Sequence, residues 1–186
     1  MAIPATDHAR LASQARQIYI DGLIQALPAL LGQVGVQARN LLDKPAEYLT
    51  IQRRRDLMQG LIKQSKAWHR ALVAGLQQVQ KLGGAALQNS ELPTVIGDPM
   101  SLVDNDTIER EILTSRLALA IMDRAGWEFT DLRARLAMLE HRGELDTHDM
   151  LRAHVLARVV LDAWRASGLT AADRSKSTRL NSSHRP

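Results

Sequence analysis

Six histidines are the groups in this 186-residue chain best suited to hold a metal ion. Three of them, His141, His148 and His154, fall close together with Asp149 between the last two. Two histidines on one helix face must stand at i and i+4 or a close variant to share a metal. His148 and His154 are six apart, and His148 is expected to precede the helix, so the group reads as solvated surface histidines. His69, beside Trp68, reads the same way. The acid pairs Asp104 with Asp106 and Glu109 with Glu111 have the chemistry for acid–base catalysis or for a hard cation. They crowd a helix start, "SLVDNDTIERE", where Asp106 can cap the first turn, Glu109 can reach back, and the helix dipole favours negative charge. The chain has no cysteine, which excludes a thiolate nucleophile, a disulfide framework, a zinc ribbon and an iron–sulfur cluster. No residue is therefore assigned a catalytic, cofactor-binding or metal-binding role, and a non-enzyme is expected.

The remaining chemistry is that of cations. From about Pro45 to Leu82, apolar residues at helical spacing (Leu57, Leu61, Trp68, Leu72, Leu76, Val79) gather on one face. Arg55, Gln59, Lys63, Lys66 and Arg70 gather on the opposite face, within about 80° at 100° per residue. Arg55, Lys63, Lys66 and Arg70 form the candidate interaction surface. Such a stripe is either simply solvated, docks on an acidic protein surface, or contacts nucleic-acid phosphates. Interleaved aromatics for base stacking and a helix-turn-helix pattern are both missing, which weakens the last alternative.

The net charge of +4 does not strengthen it. Residues 174–186 hold four of the 24 Lys and Arg and no acid, which leaves 20 basic against 20 acidic residues elsewhere. Within that neutral body, residues 1–82 carry 11 basic and 5 acidic groups, and residues 83–173 carry 9 and 15. The tail stretch "KSTRLNSSH", Lys176 to His184, resembles a translated sequencing adapter, so it is set aside from fold reasoning and expected to be disordered.

The elements that must carry these residues are helices. Alternating apolar runs are missing, aromatics are 3% of the chain, and Val and Ile recur at helical spacing. The fold class is all-α, an amphipathic multi-helix bundle of about five to six helices. A first helix begins near Asp7, with Leu11, Ala15, Ile18 and Leu27 inward, and Pro28 ends or kinks it. A second covers Ala29 to Leu42, and the striped helix is the third. "GGAALQNSELPTVIGDP" reads as a linker between a basic segment, 1–82, and an acidic segment, 101–170, that packs with it. The next helix has apolar residues on two faces, Ile108, Ile112, Leu119 and Met122 on one and Leu113, Leu117 and Ile121 on the other. That pattern predicts a central helix buried on two sides, with a break at Gly126. A further helix carries Leu132, Leu136 and Leu139 and ends at Gly143. A last helix is capped by Asp146 or Thr147, turns Leu156, Val159, Val160 and Ala163 inward, and closes at Gly168. No apolar run approaches the roughly 20 residues of a membrane span and no secretory leader is visible, so a cytoplasmic protein without a membrane partner is expected.

The block "SLVDNDTIEREILTSRLALAIMDRAGWEFTDLRARLAML" resembles bacterial proteins of the family called domain of unknown function 1631, its "SLVD" opening followed by acids being the most specific part. "ARLASQARQIYIDGLIQALPALL" and "RRRDLMQGLIKQSKAWHRALVAGL" are similar to that family's N-terminal helices. The resemblance implies an N-terminal fragment of a longer bacterial regulatory protein, whose partner is another protein or the missing C-terminal region. Some relatives are associated with a PilZ-type cyclic di-GMP module, which binds through an arginine-rich segment followed by an Asp/Asn-x-Ser-x-x-Gly strand. Here only Arg53 to Arg55 mimic any of it, on a helix, so no cofactor is expected. A nucleoside-phosphorylase label also travels with the family, but no phosphate-cradling glycine loop supports it.

Overall fold

The computed structural model describes residues 5–82 and 105–169. The linker, Asp104, the Asp106 side chain with its proposed cap, and the tail lie outside the described residues. All of the regular structure described is helical: α1 Ala5–Leu42, α2 Tyr48–Leu82, α3 Asn105–Leu139 and α4 Ala153–Ala166.

Among the described residues four helices stand against the expected five to six, because the expected break at Pro28 does not end a helix and the segments expected on either side of Gly126 join across a kink into one. Pro28 lies inside α1 and neither ends it nor starts a second helix at Ala29. Proline there removes one intrahelical bond and costs about 3 kcal/mol. Leu27 before it and Ala38 after it are both buried, so the helix is anchored on either side of the proline, although Leu30, Val34 and Val36 are exposed. The expected break at Gly126 appears one residue earlier, as a kink at Ala125 (φ −133°, ψ 25°), and α3 continues to Leu139.

The chain divides into two compact units, residues 1–22 with 75–161, and residues 23–74 with 162–186. The charge-based division at the linker runs along the chain, whereas each compact unit draws on both sides of it. In the first unit Ala12, Ile20, Leu76, Val79, Leu136, Leu151, Val155 and Val159 are buried. In the second, Leu27, Ala38, Leu61, Trp68, Leu72 and Ala163 are buried, and Trp68 meets Trp164 edge to face at 5.0 Å between ring centroids.

Several inward assignments change. In α1 the buried positions are Ala12, Ile20, Leu27 and Ala38, while Leu11 is exposed and Ile18 is 72% exposed. The buried face runs through small Ala12 rather than through the larger Leu11 and Ile18. In α2 the expected face holds from Leu61 to Val79, with Leu57 at its exposed edge. The first half of α3 is not a helix buried on two sides: Ile108, Ile112, Leu113 and Leu119 are exposed. Its buried position is Thr114, whose hydroxyl donates to the Arg110 carbonyl at 2.8 Å and so enters the interior satisfied.

Helix α3 stops before Gly143. Arg142 N–H donates to the Ala137 carbonyl and His141 N–H to the Met138 carbonyl, with His141 left-handed at φ 54°. This is a Schellman stop with histidine where glycine is usual. Two turns follow before α4: Asp146 accepts from His148 N–H at 2.8 Å and Asp149 from Leu151 N–H at 2.9 Å. The helix therefore starts a turn later than expected, at Ala153. It closes as expected at Gly168, left-handed at φ 78°.

Among the described residues one helix, Asp7–Leu42, is long and apolar enough by length and composition to cross a bilayer, with a mean hydropathy of 1.2. No long uninterrupted apolar run marks this helix in the sequence, because Asp21, Gln25, Gln33 and Gln37 divide its apolar residues into short pieces.

Candidate interaction surface

The stripe lies on the part of α2 that belongs to the second unit. Leu61, Trp68 and Leu72 turn one face of the helix into the core and thereby fix the opposite face. Arg55, Lys63, Lys66 and Arg70 are all exposed on that opposite face, with exposed Gln59 between the first two. Arg55 to Arg70 spans about 22 Å at 1.5 Å per residue. Among the described residues none of the four cations is in an ion pair, so their charges are available at the surface.

The neighbouring Arg54 has a different task. Its guanidinium donates to the carbonyls of Leu41 at 2.8 Å and Lys44 at 2.7 Å. A cation is thus placed at the negative end of α1, which fixes the turn that leads into α2. Only two members of the "RRR" run remain exposed, Arg53 and Arg55.

A second constellation, in the first unit, escaped the sequence reading. Arg16 of α1 donates through Nη1 to Glu140 Oε1 at 2.6 Å. Through Nε and Nη2 it also donates to Asp149 Oδ2, at 3.1 and 2.6 Å. The Asp149 side chain is only 8% exposed. Burial strips water from the Arg16 guanidinium and pulls its pKa down, but the hydrogen bonds and attraction of Glu140 and Asp149 outweigh this and hold it above the ordinary value. Tyr19 packs edge to face on Phe129. Burial, and secondarily the charge of Asp149, holds its phenol protonated well above the usual range. Its hydroxyl is buried without a hydrogen-bond partner among the described residues. About two turns before Arg16 in α1, His8 Nδ1 lies 3.0 Å from His141 Nε2, a contact that needs one ring to donate and the other to accept.

The residues singled out for metal binding are not gathered. Asp149 is taken by Arg16, His141 pairs with His8, and His154 is held below its usual pKa by burial first and then by the charges of Arg152, Arg158 and His148. Among the described residues no group of three or more His, Asp or Glu is arranged to hold a metal ion. Glu111 meets Arg158 at 2.9 Å, whereas Glu109 is exposed. His69 is half-buried. Contacts separated by 124 and 133 residues leave no local periodicity to read, so Arg16 gave only one sign: a charge on the inward edge of an otherwise apolar helix.

The family model described as "Protein of unknown function (DUF1631) N-terminal domain" matches residues 7–176. The chain belongs to this family. The match covers α1 from Asp7 and the other three helices in full, and ends at Lys176, the first residue of the "KSTRLNSSH" stretch. No curated protein and no solved structure matches it.

Proposed function

We propose that this DUF1631 N-terminal domain is a non-enzymatic, cytoplasmic helical scaffold, the N-terminal part of a longer bacterial regulatory protein. It docks an acidic protein surface through Arg55, Lys63, Lys66 and Arg70. The observation that carries this reading is the stripe itself: four exposed cations, none in an ion pair among the described residues, on one face of a helix whose other face is anchored by Trp68 and Leu72. A rigid row of like charge selects a partner by complementary charge and steers its approach, while each exposed pair adds only about 0–1 kcal/mol. Binding is therefore weak per contact, cumulative, and sensitive to salt.

The test is a pull-down of partners by the full-length protein beside the variant carrying Arg55→Glu, Lys63→Glu, Lys66→Glu and Arg70→Glu. Loss of the partner on reversal, at least tenfold by titration, is the expected result; unchanged binding removes the stripe from the mechanism. Parallel titrations of poly-glutamate and duplex DNA into the chain without residues 171–186 separate the two acidic partners. Tight, salt-sensitive binding of DNA alone would replace the protein-docking reading by nucleic-acid binding.

A further inference from the structure

The first half of α3 presents a second surface of different chemistry. Ile108, Ile112, Ser115, Leu119 and Met122 follow one another at steps of four, three, four and three residues. This is the 3.5-residue spacing of a helix-pairing seam rather than the wider stripe of a helix laid on a core. Ile108, Ile112 and Leu119 are exposed, the last to 70%, and with Ser115 and Arg116 they line a shallow surface groove. The seam runs out at the Ala125 kink, where the helix changes direction and can no longer hold a straight partner.

The charges beside the seam identify what fits it. Glu109 and Arg116 flank it on one side, both exposed, and among the described residues neither is in an ion pair. Glu111, on the other side, is already held by Arg158 at 2.9 Å. If a second α3 is laid antiparallel on the first, with the two-fold axis crossing near residues 113 and 114, Ile108 meets the second copy's Leu119 and Ile112 meets its Ser115. The same register puts Glu109 beside the second copy's Arg116, and the symmetry makes that pair twice. Ser115, small and near the axis, lets the two helices approach. A parallel arrangement would instead bring Arg116 to the second copy's Glu111, which Arg158 has engaged. We propose that the chain self-associates through α3, as an antiparallel pair with this register.

The seam covers Ile108 to Met122, about 22 Å of helix. Two heptads fall short of the three to four that mark a free-standing coiled coil. Here each helix is already formed in its own domain, so the ordering cost is met before the copies meet. A concentration-dependent dimer with a Kd on the order of 10 μM is expected, well short of an obligate one. The inference rests on α3 and on the Glu111–Arg158 pair beside it, and is independent of the α2 stripe.

Sedimentation velocity of the 186-residue chain from about 1 to 200 μM tests it. Leu119→Lys is expected to raise the dimer Kd at least tenfold; circular dichroism will show whether it remains helical. Glu109→Arg and Arg116→Glu should each weaken self-association, because each variant opposes like charges in its own dimer. Mixed together, the two variants should form a heterodimer tighter than either homodimer, and the doubly substituted chain should recover the starting affinity to within about threefold. A chain that stays monomeric throughout, a dimer indifferent to Leu119→Lys, or a mixture that shows no preference for the heterodimer would each overturn the proposal.

Discussion

At the scale of single residues, the decisive side chain is Arg16, because it makes the buried Asp149 carboxylate tolerable. Replacing it by methionine fills similar space but strands Asp149 and Glu140 without their cation, and breaking such a pair costs about 3 kcal/mol. Urea denaturation should show a lower midpoint for Arg16→Met with an unchanged slope. Adding Glu140→Gln and Asp149→Asn should restore most of the loss, because the stranded charge is the source of the cost; an additive further loss would contradict the account. Tyr19 tests the same neighbourhood from the alkaline side. Its folded pKa is raised above the ordinary value near 10, so its contribution is complete below pH 10 and is lost as pH rises beyond it, when the unfolded chain releases the phenolic proton first. Tyr19→Phe removes both that dependence and an unpartnered buried hydroxyl. Its stability should equal or exceed that of the parent at pH 8, and its advantage should widen at pH 11. An identical difference at both pH values would refute the assignment.

At the scale of elements, helices were legible wherever one periodic pattern governed a long stretch. The face from Leu61 to Val79 was read from sequence because Trp68, Leu72 and Leu76 recur at helical steps, and the stripe opposite followed from the same wheel. Boundaries set by one residue against many were not legible. Pro28 is a strong local stop signal, yet α1 runs through it, with buried Leu27 on one side and buried Ala38 on the other. His141 ends α3 in a conformation that sequence rules assign to glycine, and its ring meets His8 from 133 residues away. Glycines within α2 give the sharper test of helix contact. A Cβ at Gly75 would stand 2.9 Å from Val159 Cγ1, a stiff branched side chain, whereas one at Gly60 would meet only the flexible end of Leu169 at 3.1 Å. Alanine gains about 1 kcal/mol of helix propensity at either site. Overpacking of roughly 1–3 kcal/mol opposes that gain at Gly75. Gly75→Ala should therefore lower the melting temperature and Gly60→Ala should hold or raise it; equal shifts would mean that the approach of α2 to Val159 is not tight.

At the scale of the whole molecule, composition misled until charge was located. The excess of +4 sits entirely in residues 174–186, and what remains is balanced overall but opposed in sign on the two sides of the linker. That opposition is used specifically rather than diffusely: Arg16, from the basic side, is buried against Glu140 and Asp149 from the acidic side, while the stripe on α2 stays exposed. Sequence could give the asymmetry but not which cation would be spent inside, since that depends on which helix ends meet. Among the described residues the buried side chains fall between Ala12 and Ser167, and the family match ends at Lys176. Stability should therefore reside upstream of the tail. A chain ending at Lys176 is expected to melt within about 2 °C of the 186-residue chain, since about 1 kcal/mol shifts the midpoint of a domain this size by some 2–4 °C. It should also bind a cation-exchange resin less tightly, because Arg179 and Arg185 leave with the tail. A drop of 5 °C or more would show that residues 177–186 pack on the helices, and would return that segment to the fold.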